Sequence, residues 1–243
     1  MIVLLTDFGD SEYVGVMKGV IYSIAPQAKV IDLYNQVSPQ NIREGAWILL
    51  QSYKYFPHKT IFLCIVDPGV GSRRRGLGIE TQHYFFIGPD NGLMYPTVME
   101  DGFLQAVSLS EARASRTFHG RDVFARAAAE LEKGTGFEHL GETIEIASKF
   151  KFQLDLKNRI GEIVRIDTFG NIVTNLPHIG KQKYTVTYGK FMHELSFYET
   201  YEVAPDDELF LIEGSSETLE ISLKNAKAIN QLVVQVGELI QIT

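Results

Sequence analysis

The segment Asp67-Pro68-Gly69-Val70-Gly71-Ser72-Arg73-Arg74 carries a carboxylate and a guanidinium on one glycine-rich turn, directly after the apolar run Ile61-Phe62-Leu63-Cys64-Ile65-Val66. Glycines let the backbone turn sharply and approach a ligand closely, because no Cβ stands between them. A guanidinium there can stabilise an anionic nucleophile while the carboxylate orients it or takes its proton. The plainer alternative is an ion pair that pins the turn. Arg75 brings a neighbouring guanidinium to the same run. His119, in Phe118-His119-Gly120-Arg121-Asp122, stands at a helix start, where an imidazole can serve as a general base or as a satisfied structural residue. The other five histidines, His58, His83, His139, His178 and His193, have no ligand-like spacing, so no metal site is expected.

Asp7 leaves the short apolar strand Ile2 to Leu5 and precedes Phe8-Gly9. A carboxylate at a sheet edge can bind a metal, accept two hydrogen bonds from a ribose diol, or cap a turn. Asp-Phe-Gly is also a protein-kinase tripeptide, but six preceding residues leave no room for a glycine loop and its lysine. Further along, Asp167-Thr168-Phe169-Gly170-Asn171-Ile172-Val173-Thr174-Asn175 gathers an acid, an aromatic and two amides. It reads as a hairpin turn, or as a pocket for a flat heterocycle with Phe169 as its face and Asn171 as paired donor and acceptor. Ser215, Ser216 and Asn225 are weaker candidates for that pocket, and Asp90-Asn91 reads as a turn.

These residues need elements to hold them. Glu12 to Ile24 is expected to be a helix, with Val16, Val20 and Ile24 at helical spacing and Pro26 as its stop. A second helix has Ser38 as cap, Pro39 in its first turn, Ile42, Ala46, Leu49 and Tyr53 on one face, and Pro57 beyond its end. Strands are expected at Thr60 to Val66, Gly78 to Thr81 and Tyr84 to Ile87, and a helix from Asp122 to Lys133 stopped by Gly134. This alternation predicts an α/β domain with a mainly parallel or mixed sheet over 1–155. From about Arg159 the pattern becomes short runs rich in β-branched and aromatic residues: Glu162 to Ile166, Tyr184 to Tyr188, Leu209 to Ile212, Leu219 to Leu223 and Leu239 to Thr243. A smaller all-β, barrel-like domain is expected over 159–243, after a polar linker from Gln153 to Asn158.

The chain of 243 residues is 45% hydrophobic and 22% charged, the balance of a globular protein rather than a disordered one. A net charge of -7 disfavours a nucleic-acid partner, whose phosphates require a basic face, and the only dense basic run is Arg73-Arg74-Arg75. Cys64 has no second cysteine to pair with, the N-terminus lacks a basic leader, and no apolar stretch reaches membrane-spanning length, so a cytoplasmic location without membrane contact is expected.

Together, Thr6-Asp7-Phe8-Gly9, Asp67-Pro68-Gly69-Val70-Gly71 with Arg74, Gly88-Pro89-Asp90-Asn91-Gly92, Thr117 to Asp122 and Asp167 to Asn175 resemble the S-adenosylmethionine hydroxide adenosyltransferases, hydrolytic relatives of the fluorinase and chlorinase. The resemblance implies an N-terminal α/β domain, a C-terminal β-barrel, and a homotrimer with active sites between the N-terminal domain of one subunit and the C-terminal domain of the next. It implies that water or hydroxide displaces methionine from the 5′ carbon of S-adenosylmethionine, without cofactor or metal. By position, Asp67, Arg74 and His119 match the set around the nucleophile, Asp7 the ribose ligand, Asp167 the residue holding the methionine ammonium and Asn171 the reader of adenine. Phe8, Phe118 and Phe169 join them as substrate-binding aromatics. Halogenating relatives carry a tyrosine in place of the aspartate and do not keep the arginine and histidine, so the resemblance favours hydrolysis over halide transfer. A sensor that binds adenosine or S-adenosylmethionine without turnover is the non-catalytic alternative.

Overall fold

The computed structural model describes every residue except 113. The chain divides into two compact units, Met1–Lys151 and Phe152–Thr243. In the first, β1 (Ile2–Thr6), α1 (Glu12–Ile24), β2 (Val30–Tyr34), α2 (Ile42–Ser52) and β3 (Ile61–Ile65) alternate. They are followed by β4 (Gly76–Thr81), β5 (Phe85–Pro89), α3 (Tyr95–Glu100), β6 (Phe103–Leu109), α4 (Ala125–Lys133) and β7 (Gly141–Thr143). The strands form one mixed sheet in the order β2-β1-β3-β5-β4-β6-β7. β2, β1, β3 and β5 are parallel, whereas β4, β6 and β7 pair antiparallel.

Both faces of this sheet are covered, which explains the unbroken apolar character of β1 and β3. Ile2, Leu4, Ile61, Leu63 and Ile65 face a core shared with α1 and α4. Val3, Leu5, Phe62, Cys64 and Val66 face the opposite core with α2 and α3. The Cys64 thiol is fully buried and its pKa is raised by burial, so it is an inert filler.

Two helices differ from expectation in detail. α1 has the expected ends but buries Val14, Met17 and Ile21, with Val16 40% exposed and Val20 and Ile24 only flanking the core. α2 is capped by Asn41, whose side chain accepts from the Glu44 N–H at 3.1 Å, rather than by Ser38. The Glu44 carboxylate reaches back to accept from the Ser38 N–H at 3.0 Å, so Ser38 is the recipient of the cap interaction. The helix expected from Asp122 begins as a π turn over Gly120–Phe124 before α4, and Gly134 ends it with φ 106°.

In the second unit a short β8 (Leu154–Asp155) precedes β9 (Ile160–Ile166), β10 (Ile172–Pro177), β11 (Lys183–Tyr188) and β12 (Phe191–Ser196). β13 (Leu209–Glu213), β14 (Thr218–Leu223) and β15 (Leu239–Ile242) complete it. The sheet order is β12-β11-β15-β9-β10-β14-β13, with β8 on β9, and every strand pair is antiparallel. A bridge between Phe197 and Leu211, with the Tyr198 N–H donating to the Leu211 carbonyl at 2.9 Å, joins the end of β12 to β13 and nearly closes a barrel. The stretch from Asp167 to Asn175 is a tight turn only as far as Asn171, after which β10 is a buried strand. Among the described residues no helix is long and apolar enough to cross a membrane.

Candidate active site

In the first unit, β1 has β2 on one side and β3 on the other, so the order of strands reverses between β1 and β3. Loops leaving the carboxyl ends of two such strands diverge and open a crevice. Thr6 pairs with Ile65 at this edge, which places Asp7 and Asp67 just beyond the ends of neighbouring strands. Arg74 lies two residues before β4, and Glu111 two residues after β6; the antiparallel pairing of β4 brings both to the same edge.

Arg74 is the hub. Its Nε donates to Asp67 Oδ1 at 2.9 Å and Oδ2 at 3.0 Å, and Nη2 also meets Asp67 Oδ2. Nη1 donates to Glu111 Oε1 at 2.7 Å. Nη2 lies 2.9 Å from His119 Nδ1. A guanidinium has only donors, so Nδ1 is the acceptor and this imidazole carries its proton on Nε2. The Asp67, Arg74 and His119 side chains are all under 10% exposed, and the Phe124 ring lies under the guanidinium at 5.2 Å. Two carboxylates against one guanidinium leave a net negative charge in a largely dry setting, where charge interactions are strongest.

Arg75 turns away. It donates to Asp90 Oδ2 at 2.6 Å and to the Glu145 carbonyl at 2.8 Å, while the Ala147 and Ser148 N–H groups also donate to Asp90. Asn91 donates to the Val66 carbonyl at 2.7 Å, tying this turn to the end of β3. The neighbouring arginines therefore divide the work, Arg74 at the cluster and Arg75 in the scaffold.

Asp7 Oδ2 accepts from the Gln40 N–H at 2.8 Å. Phe8 and Phe118 meet edge to face at 6.0 Å, and Tyr13, which the sequence did not single out, joins both at 5.5 and 5.0 Å. Asp122 supports this wall: it accepts from the Ser115 N–H at 2.9 Å, and Ser115 Oγ accepts from the Phe118 N–H at 3.1 Å. The Arg121 side chain, bonded to the Asp122 carboxylate, holds its pKa well below the usual range.

In the second unit the turn between β9 and β10 borders an open groove of about 970 Å³. Asp167, Phe169, Asn171, Ser215 and Asn225 line it, and Ser216 is not among the lining residues. Asp167 Oδ1 accepts from the Phe169 and Asn171 N–H groups at 2.9 and 2.8 Å. Phe169 is thereby held out, 74% exposed. Both Asn171 amide hydrogens are committed, to Asp167 Oδ2 at 2.9 Å and to the Tyr201 hydroxyl at 3.1 Å. The expectation that Asn171 offers a paired donor and acceptor is corrected, because its donors are spent on Asp167 and Tyr201.

Two acids escaped sequence reading. Glu111 sits in the polar Ser110-Glu111-Ala112 with no motif spacing. Glu220, between Leu219 and Ile221 on β14, alternates like a solvent-facing residue, yet it lines the groove. Burial first, then the Asp167 charge, push its carboxyl up to about 7, with Arg165 opposing. The folded pKa thus exceeds the ordinary 4.5. Its stabilising contribution is complete below that ordinary value and is lost as pH rises through the folded one. Relative to wild type, Glu220→Gln is expected to gain about 3 kcal/mol of stability between pH 4.5 and pH 8, because the amide never ionises. Urea denaturation of both proteins at the two pH values checks this.

Residues 2–141 match the SAM hydroxide adenosyltransferase N-terminal domain, and residues 161–241 its C-terminal domain. The (R)-S-adenosyl-L-methionine hydrolase of Methanocaldococcus jannaschii is 39% identical over 186 residues, 72% of this chain and 66% of that protein. The (R)-S-adenosyl-L-methionine hydrolase of Thermus thermophilus is 31% identical over 247 residues, 96% of this chain and 95% of its own length. Among solved structures, an uncharacterised conserved protein from Thermotoga maritima superposes with a TM-score of 0.93 at 32% identity, covering 100% of both chains. With both domain signatures in order and similarity running through the whole fold, the chain belongs to the SAM hydroxide adenosyltransferase family.

Proposed function

We propose that the protein hydrolyses (R)-S-adenosyl-L-methionine to adenosine and L-methionine by direct displacement at the 5′ carbon. The observation that carries the reading is the buried contact of Arg74 with Asp67 and His119 at the point where the strand order reverses. In the reaction a water oxygen forms the new bond to the 5′ carbon as the carbon–sulfur bond breaks, the electron pair of that broken bond leaves on the methionine sulfur, and the proton lost by the water passes to the Asp67 carboxylate and from there to solvent. Water is a weak nucleophile at neutral pH. Arg74 stabilises hydroxide character on the attacking oxygen, Asp67 accepts a hydrogen bond from it, and the His119 Nε2–H orients it. The net negative charge of the cluster favours approach of the cationic sulfonium, and attack of hydroxide on that cation cancels opposite charges. Burial accelerates such a step, since neither ion is fully screened.

Asp7 receives the ribose diol, Phe8 and Phe118 flank it, and the groove around Asp167, Phe169 and Asn171 receives the amino-acid and adenine ends. Ser215 and Asn225, on the groove lining, complete the substrate contacts. The protein acts in the cytoplasm as a homotrimer, with each active site completed by a neighbouring subunit.

Incubation of the pure protein with the separated sulfonium epimers, followed by chromatography, tests the proposal. Adenosine and methionine are expected in equal amounts, faster from the (R) epimer, with Asp67→Ala slower by about a thousandfold on the scale of lost transition-state charge stabilisation. No adenosine from either epimer, or an Asp67→Ala rate equal to wild type, would sink it.

A further inference from the structure

Strand register places Glu220 on the groove floor. Arg165 of β9 pairs with Val173 of β10, Val173 with Glu220 of β14, and Glu220 with Ile212 of β13. Residues directly paired across a sheet share a face, so these four form one row across the unit. Asp167, two residues beyond Arg165, emerges on that same face at the groove rim. The Glu220 carboxyl occupies space left by Gly214: a Cβ there would lie 1.8 Å from Oε1. Lys224, also in the lining, is spent on the Glu202 and Ala204 carbonyls at 3.0 and 3.1 Å.

We infer that Glu220 is a specificity residue of the groove, recognising together with Asp167 the cationic ammonium of an amino-acid ligand. This rests on the reading of the groove as the place of the substrate's amino-acid end. Two carboxyls facing one groove repel, and a bound cation relieves that repulsion in proportion to its charge. The raised carboxyl pKa adds a consequence: cation binding ionises Glu220 and releases a proton near neutral pH. The other titratable groups of the lining are Tyr201, Glu202, Glu213, Lys224 and Lys227, with Arg165 acting on Glu220 from the neighbouring strand row, and among them Tyr201 stays neutral, its pKa raised chiefly by burial.

Calorimetric titration at pH 6.5 with L-methionine and, separately, with adenosine tests this, run in two buffers of different ionisation enthalpy. Wild type is expected to release protons on binding L-methionine and none on binding adenosine. Glu220→Gln, of unchanged shape, is expected to bind L-methionine about tenfold more weakly without proton release, with adenosine affinity held within twofold. Gly214→Ala keeps the charge but displaces the carboxyl, and is expected to reproduce the methionine defect. Equal L-methionine affinity in wild type and Glu220→Gln, absence of proton release from wild type, or equal losses for both ligands would overturn the assignment. A wild-type protein that binds L-methionine with Glu220-dependent proton release, yet leaves S-adenosylmethionine intact, would refute the hydrolase reading while the assignment of Glu220 stands.

Discussion

Arg74→Ala is expected to lower the hydrolysis rate by a thousandfold or more and to cost about 3–5 kcal/mol of stability, because one side chain performs both tasks. Asp67, 6% exposed, would lose the partner of both its oxygens, and Glu111 and His119 would lose their shared donor. A buried carboxylate without a counter-charge is penalised more heavily than the intact pair was stabilised. Arg74→Lys is expected to recover little, since an ammonium on a flexible stem cannot meet acceptors in three fixed directions. The double variant Asp67→Asn/Arg74→Ala separates the two effects. Removing the orphaned charge should return most of the lost stability, whereas activity should stay at the floor. Chemical denaturation and initial rates on the three variants check both halves. A double variant that regained activity along with stability would mean that the pair serves only to hold the turn.

The parts of this arrangement that could be read from the sequence are those in which the physics is local. The carboxylate and guanidinium of Asp67 and Arg74 sit seven residues apart on a turn whose glycines announce it, and the continuous apolar run before them reflects a strand buried on both faces. The C-terminal strands were legible where β-branched runs were bounded by turns. Β-branched content did not help at β10, because its first residues follow a turn motif so tightly that Ile172 to Asn175 reads as part of the loop. α1 shows the limit of periodicity: Val14, Val16, Met17, Val20 and Ile21 are apolar around much of the helix, and only packing against α4 and the sheet decides that Met17 is buried while Val16 is not. Glu111 reaches Arg74 across 37 positions and Glu220 is buried by a groove that many elements build, so neither carries a local signal. Asn171 was found by its motif, but the commitment of both its amide hydrogens depends on Tyr201, thirty positions away.

Gly71→Ala is expected to destabilise the first unit by about 2–5 kcal/mol and to cut turnover at least a hundredfold, although the glycine touches no reacting group. Gly71 has φ 75°, a left-handed conformation that strains any residue with a Cβ. A Cβ added there would also lie 2.2 Å from the Arg116 carbonyl oxygen, and backbone, unlike a flexible side chain, cannot swing aside. The clash falls between the two segments that must meet, because Arg116 lies three residues before His119 and Gly71 three before Arg74. Relief of the overlap therefore parts the guanidinium from the imidazole, at present 2.9 Å apart, and the loss is expected in kcat more than in KM. Gly134→Ala provides the matched control. It shares the positive φ, at 106°, but a Cβ there meets nothing within 4 Å, so only the conformational cost of about 1 kcal/mol should remain, with activity unchanged. Thermal melts and steady-state rates on the pair decide the matter: equal damage from both substitutions would show that strain at a left-handed glycine, rather than the close approach to Arg116, explains the effect.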